Sequence, residues 1–267
     1  MIYLAFILAT GAYVFLGTGG PLHSDNWLAA LRRRVAAIEP ESWLLQVLLV
    51  LVPSAAFALL YAFAIALAGD VAILLLGGAA LFFSFGRADL PAMMARFDAR
   101  CNVDDLQGAA MVVADVTSTS DVDGEEALGR SAERAFLQEG AQRWFAPVLY
   151  FLLLGPFFAV AYRLLSWLAE NAETDSQRWL AIADWLPSRL LVITFGIVGN
   201  FEAVRPWLGQ AALDSEVSSA EFLVEGAERV MPESGDDPLS RSQRAAALLQ
   251  RSQYVWVAVA SVLAIVM

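Results

Sequence analysis

The residues that could do chemistry in this chain are charged and polar groups set into apolar stretches. Glu139, Gln142 and Arg143 fall at i, i+3 and i+4, so a helix would show them on one face, just where a polar segment meets an apolar run. Arg163 interrupts that run, Asp184 and Arg189 bracket Trp185-Leu-Pro-Ser, and Glu202 closes a further uncharged stretch. An ionisable group at membrane depth is costly and is normally paired or set in a wet cavity, which makes each of these a candidate site residue. Arg143, Arg163 and Arg189 suit an anionic small ligand, because the guanidinium fork matches planar acidic groups. The competing reading is that these arginines lie at the membrane interface and snorkel outward.

Several chemistries are excluded. Every one of the 17 basic residues is arginine. Without lysine there is no G-x-x-x-x-G-K-[ST] phosphate loop, and G-x-G-x-x-G, H-E-x-x-H and C-x-x-C are absent as well. Gly17-Thr18-Gly19-Gly20 is glycine-rich but follows an apolar helix rather than a strand. His23 is the one histidine and has no nearby second ligand for zinc, and a Ser–His–Asp triad would have to use it. Cys101 is the one cysteine, so the chain forms no internal disulfide, and its polar surroundings read as those of an inert thiol. No metal or cofactor is expected. The net charge of −11 argues against nucleic acid as a partner, since phosphate backbones need cationic patches.

The elements that must position these residues are membrane helices. Apolar residues make up 58% of the chain, above the usual ~45–50% of a soluble domain. They gather in runs close to the roughly 20 residues that cross a ~30 Å hydrocarbon core. Ile2 to Leu16 is a short first run. No basic residue precedes it, which argues against a cleaved signal peptide. Ser42 to Gly69 and Val71 to Gly86 carry no charge and read as a hairpin turning at Gly69-Asp70. Arg32, Arg33 and Arg34 flank its start, and Arg87, Arg96 and Arg100 its end. The positive-inside rule therefore puts both open ends in the cytoplasm. Trp144 to Leu168 contains Pro147 and Gly155-Pro156 and is either a kinked span or a re-entrant pair of half-helices. Leu190 to Phe201 is too short to span alone, and Ser252 to Met267 is a final span with Tyr254 and Trp256 at its interface.

The expected fold is thus all-α: a polytopic membrane bundle of about four to six segments with a cytoplasmic helical insert. Residues 1–86 hold the first membrane segments, including the hairpin 42–86, and 87–143 form the insert. Residues 144–205 hold the broken helices, 206–251 a second cytoplasmic helical segment, and 252–267 the last span. Within the insert, Asp89 caps a helix with Pro91 in its first turn, and Leu90, Met93, Met94 and Phe97 follow at helical spacing. Thr117 to Gly124 is a loop, and Asp123 to Glu126 resembles a capping box for the next helix. Met231 to Pro238 is a loop before a basic helix, Arg241 to Arg251.

Arg134-Ala-Phe-Leu-Gln-Glu-Gly-Ala-Gln-Arg-Trp-Phe-Ala-Pro-Val-Leu-Tyr-Phe-Leu-Leu-Leu-Gly-Pro156 resembles the signature segment of the AmpE family. Ala161-Tyr-Arg-Leu-Leu, Asp184-Trp-Leu-Pro-Ser-Arg-Leu and Gly86-Arg-Ala-Asp-Leu match it too, and add Tyr162 to the candidates. The resemblance implies a multi-pass protein of the bacterial inner membrane that modulates β-lactamase induction. Its implied associates, besides the lipid bilayer, are muropeptide-recycling components such as the amidase AmpD. AmpE is similar in turn to the CobD/CbiB enzymes of cobalamin synthesis, which carry A-E-N-x-x-D, N-T-L-D and a D-D pair. At those places this chain has Leu137, Gln138, Glu139 and Gln142; Ser166, Trp167, Leu168 and Ala169; and Leu180 and Ala181. The carboxylates expected for Mg²⁺ or a general base are replaced, so the resemblance implies the scaffold without that chemistry. A diverged membrane ligase or transferase relying on Glu139 or Asp184 is the alternative.

Overall fold

A computed structural model describes residues 1–17, 25–36, 42–86, 89–114, 124–170, 174–214, 217–232 and 236–266. His23, Asp123 and most of the Thr117–Gly124 loop lie outside these. Among the described residues all regular structure is helical. The helices are α1 (Ile2–Leu16), α2 (Asn26–Ala36), α3 (Ser42–Ala68), α4 (Asp70–Ser84), α5 (Leu90–Cys101), α6 (Leu106–Ala114) and α7 (Glu125–Gly140). A π-helical turn, Ala141–Phe145, follows. Then come α8 (Ala146–Leu154), α9 (Pro156–Glu170), α10 (Thr174–Val198), α11 (Phe201–Ala211), α12 (Ser219–Val230) and α13 (Pro238–Val266).

Three of these are long and apolar enough to cross a membrane, over Val47–Ala68, Asp175–Val198 and Pro238–Val266. Ile2–Leu16 and Asp70–Ser84 are shorter apolar helices. The residues of α3 show why a bilayer is needed: Leu59, Leu60, Phe63 and Leu67 are all exposed. On α10, Trp179, Ile182, Leu186, Ile193 and Ile197 form an exposed apolar stripe at helical spacing, while Leu180, Asp184, Leu191 and Phe195 are buried. The chain is a membrane protein with an all-helical fold.

The chain divides into two compact units. The first holds Met1–Arg87, Gln142–Asp184 and Val257–Met267. In it α3 and α4 form the expected hairpin, with Gly69 at φ 55° between them, and α9 packs against both. Trp144 is stacked on Phe85, with ring centroids 6.4 Å apart and planes 3° apart, and meets Phe6 edge-on at 6.1 Å. A second cluster joins Leu28, Leu49, Ala80, Leu164 and Trp167. The run 144–168 breaks at Gly155, whose φ of 92° is open to glycine at little cost and closed to most other residues. Pro156 then starts α9, and α8 and α9 fold back on each other, with Ala146, Tyr162 and Ala169 in one cluster.

The second unit holds Ala88–Ala141 and Trp185–Trp256. Asp89 caps α5 as the sequence suggests, accepting the Ala92 N–H at 3.1 Å, and Met93, Met94 and Phe97 are buried. Phe97 meets Phe136 of α7 edge-on at 5.4 Å. Helix α7 departs from the capping-box expectation: it starts at Glu125, and its N-cap is Gly124, which has no side chain to cap with. Glu125 and Glu126 in the first turn complement the helix dipole instead.

Two helices begin before the apolar run they contain, and the second crosses the boundary expected at 251. Leu190 to Val198 is the last part of α10, which spans 25 residues and passes through Asp184, Pro187 and Arg189, while Phe201 at the end of that run already opens α11. The basic stretch Arg241–Arg251 and the last span are one helix, α13. Asp184 and Arg189 do not end α10, nor Arg241 and Arg244 α13, because each is buried against a partner, as described next.

Candidate functional site

Proline at 187 removes one helical donor, so the carbonyl four residues earlier, on Ala183, loses its usual partner. The Tyr150 hydroxyl of α8 donates to that carbonyl at 2.7 Å. Helix α10 therefore passes through Pro187 with its backbone satisfied, and Asp184 is held one residue beyond the repaired carbonyl.

Asp184 is buried, and both its carboxylate oxygens are engaged. Tyr162 Oη donates to Oδ1 at 2.6 Å, and Gln142 Nε2 donates to Oδ2 at 2.6 Å. The ring of Tyr162 stacks on that of Tyr150, with centroids 5.4 Å apart and planes 29° apart. Gln142 belongs to the π-helical turn Ala141–Phe145. Such a turn inserts extra backbone into an α-helix and re-aims the side chains that follow. It also breaks the α-helical spacing that would align Glu139 with Gln142 and Arg143. The result is one carboxylate held by two neutral donors. A carboxylate has about four acceptor positions, so two of its lone pairs remain for a ligand donor or a cation.

The other candidates lie elsewhere. Arg143 is half-buried; its side chain lies over Gly86, where any Cβ would collide with it, and its carbonyl accepts the Gly86 N–H at 3.1 Å. Arg163 neighbours Tyr162 on α9 but points to a different group: Asp25 at 3.3 Å, Glu170 at 3.4 Å and the Ser166 hydroxyl at 3.2 Å.

In the second unit, Arg189 binds backbone carbonyls just past the end of α11. It donates to Asp214 at 2.7 Å and Ala212 at 3.3 Å, and lies over the rings of Phe222 and Trp185. Glu202 is exposed on α11 and pairs with Arg205 at 3.3 Å. Glu139 is half-buried on α7. The structure thus brings Gln142, Tyr162 and Asp184 into one hydrogen-bonded group, while Arg163 and Arg189 are each committed to their own partners.

Two features escaped the sequence reading. Tyr150 is one, because its role depends on a proline 37 residues away along the chain. The other is a buried ion cluster in the second unit. Glu133 is fully buried and receives Arg244 through two bonds of 2.6 and 2.7 Å and Arg241 through one of 2.8 Å. Arg241 also reaches Glu228 at 2.8 Å and Asp236 at 2.9 Å. A signal for it was present: Glu133 shares a helical face with Gly129, Phe136, Leu137 and Gly140, so an acid interrupts an apolar stripe and needs a buried cation.

Over 136 residues the chain is 30% identical to the cobalamin biosynthesis protein CobD of Stutzerimonas stutzeri (strain A1501), a match that covers 46% of this chain and 45% of that protein. The match thus spans less than half the length of that relative. No family model matches the chain, and no solved structure matches it. The likeness supports a CobD-like relationship over part of the chain, and that to AmpE rests on the residues quoted above.

Proposed function

We propose that this protein is a multi-pass protein of the inner membrane, built on a CobD-like scaffold, that acts as a regulatory modulator of the AmpE type. In this reading it couples cell-wall status to β-lactamase induction, together with muropeptide-recycling components such as AmpD. The observation that carries it is the Gln142–Asp184 bond of 2.6 Å. An aspartate at position 142, as the CobD/CbiB pattern has, would put two carboxylates against each other, an arrangement that holds a cation or shares a proton. The amide turns that pairing into a donor–acceptor contact. The group then suits recognition of a ligand donor by Asp184, with Tyr162 and Gln142 as fixed orienters, better than metal-assisted ligation.

The 30% identity to a CobD favours a second reading, a diverged membrane ligase or transferase acting through Asp184. Two strains separate them. In a strain lacking CobD, this chain is expected to leave cobalamin synthesis unrestored. In its own host, deletion is expected to alter β-lactamase induction by a β-lactam, and the Asp184→Asn variant to fail to restore it. Restored cobalamin synthesis, with induction unchanged by deletion, would overturn the regulatory reading in favour of the enzyme.

A further inference from the structure

Helix α2 has two faces with different occupants. Leu28 is buried, and Leu31 and Val35 pack with it into the cluster containing Leu164 and Trp167. Positions 28, 31 and 35 follow helical spacing, so they form a single stripe. The start of the helix is fixed in rotation. The Asp25 carbonyl accepts the N–H groups of Leu28 and Ala29, and its carboxylate meets the buried Arg163 at 3.3 Å. That anchoring leaves Trp27 and Arg34 exposed on one flank of the stripe and Arg33 exposed on the side away from it. Trp27 and Arg34 are seven residues apart, two turns along the same strip, and Arg33 borders it.

The position of this strip relative to the membrane follows from its neighbours. The Trp27 ring lies 6.2 Å from that of Phe83, in the last turn of the apolar helix α4. The membrane-length segment of α3 starts at Val47, shortly after α2 ends. An exposed tryptophan level with the end of one apolar helix, on a helix leading into another, marks the headgroup boundary. Two adjacent arginines there face the phosphates. The chain as a whole carries a charge of −11 and is repelled by an anionic surface, so a local cationic strip is what would select such lipids.

We propose that the outer strip of α2 is a binding site for anionic phospholipid headgroups, with Arg33 and Arg34 taking the phosphate and Trp27 seated at the headgroup–acyl boundary. Guanidinium forks bind phosphate oxygens in a bidentate manner, and tryptophan, with an apolar body and one N–H donor, suits that depth. The occupant is a bilayer lipid rather than a soluble anion because Trp27 of the strip lies beside Phe83 at the end of the apolar helix α4. The site is independent of the Asp184 group and of the regulatory reading.

The test uses the full-length protein in a neutral detergent, exposed to equal amounts of phosphatidylglycerol and phosphatidylcholine of the same chain length, with bound lipids counted by native mass spectrometry. Each arginine at an anionic surface is worth about fivefold in preference, so the wild type is expected to retain phosphatidylglycerol over phosphatidylcholine by an order of magnitude or so. The R33Q/R34Q double variant is expected to bind both lipids within about twofold of each other. R205Q, which alters an exposed arginine on α11, keeps the wild-type ratio. Both positions in the double variant are exposed, and unchanged helical content by circular dichroism confirms that it folds. No preference in the wild type, or an undiminished preference in R33Q/R34Q, overturns the proposal.

Discussion

The Tyr150 hydroxyl donates to the Ala183 carbonyl at 2.7 Å, and this is the carbonyl that Pro187 leaves without a helical partner. The bond ties α8 to α10 next to Asp184, and the Tyr150 ring also stacks on Tyr162. The same tyrosine therefore repairs the proline site in α10 and supports the ring that hydrogen-bonds Asp184.

Tyr150→Phe keeps the ring and removes the donor. A buried acceptor left unsatisfied costs about 1–3 kcal/mol, so the variant is expected to lose stability by that amount while the fold persists. Reversible thermal unfolding in detergent measures it. A Tyr150→Phe, Pro187→Ala double variant restores a backbone donor to the Ala183 carbonyl and should recover much of the loss. Simple additivity of the two changes would refute the coupling.

Gln142→Asp tests the other side of the group. Two carboxylates would then share one buried place, so the variant is expected to be less stable than wild type in metal-free buffer and to gain stability when Mg²⁺ is added. Gln142→Asn, with the shorter amide, controls for size and should show no such response to Mg²⁺. A Mg²⁺ effect of equal size in both variants would sink the argument that the amide takes a cation's place.

Much of this architecture was legible in the residues, and the failures have physical causes. Uncharged runs marked α1, α3 and α4 because an exposed apolar face and a missing charge are local properties. The Asp89 cap and Gly69 turn were readable for the same reason. Helix α10 is longer than its uncharged run because Asp184 looks like a helix-ending charge until its partners are known, and the burial of Arg241 and Arg244 within the expected basic helix is hidden for the same reason. Those partners are distant in sequence: Tyr162 and Gln142 for Asp184, and Glu133 for both arginines. The π-helical turn was also invisible, since periodicity arguments assume the α spacing that the turn breaks.

The Glu133 cluster predicts a sharp asymmetry between single and paired changes. Glu133→Ala takes the carboxylate from the buried Arg244 guanidinium and leaves Arg241 to Glu228 and Asp236, and is expected to cost about 3–5 kcal/mol, or to prevent accumulation of folded protein. Removing the charges together, as in Glu133→Leu with Arg241→Met and Arg244→Met, avoids the stranded charge and should cost less than Glu133→Ala. Urea unfolding of the two variants side by side, or their yields of monodisperse protein, gives the ranking. A triple variant less stable than Glu133→Ala would show that the cluster is worth more than its desolvation cost.

Cys101 lies at the end of α5, partly buried and near Asp98, Asp237 and Glu125. Burial, and then the negative charges of Asp98, Asp237 and Glu125, push its thiol up to about 11 from an ordinary value of 9.0. The thiolate is the reactive form, so at pH 8 the folded protein should react with a maleimide roughly 100-fold more slowly than an unhindered thiol, and the rate should rise tenfold per pH unit to about pH 11. The sign for stability follows. Between 9.0 and about 11 the unfolded chain gives up the proton while the folded chain keeps it, so stability falls as pH rises through that window. Asp98→Asn removes one of the repelling charges, and its labelling rate at pH 8 is expected to exceed that of wild type. A rate already at its maximum at pH 8 would mean that neither burial nor the neighbouring acids hold the proton on Cys101, and one indifferent to Asp98→Asn would remove the Asp98 charge from the account and leave burial as the main cause.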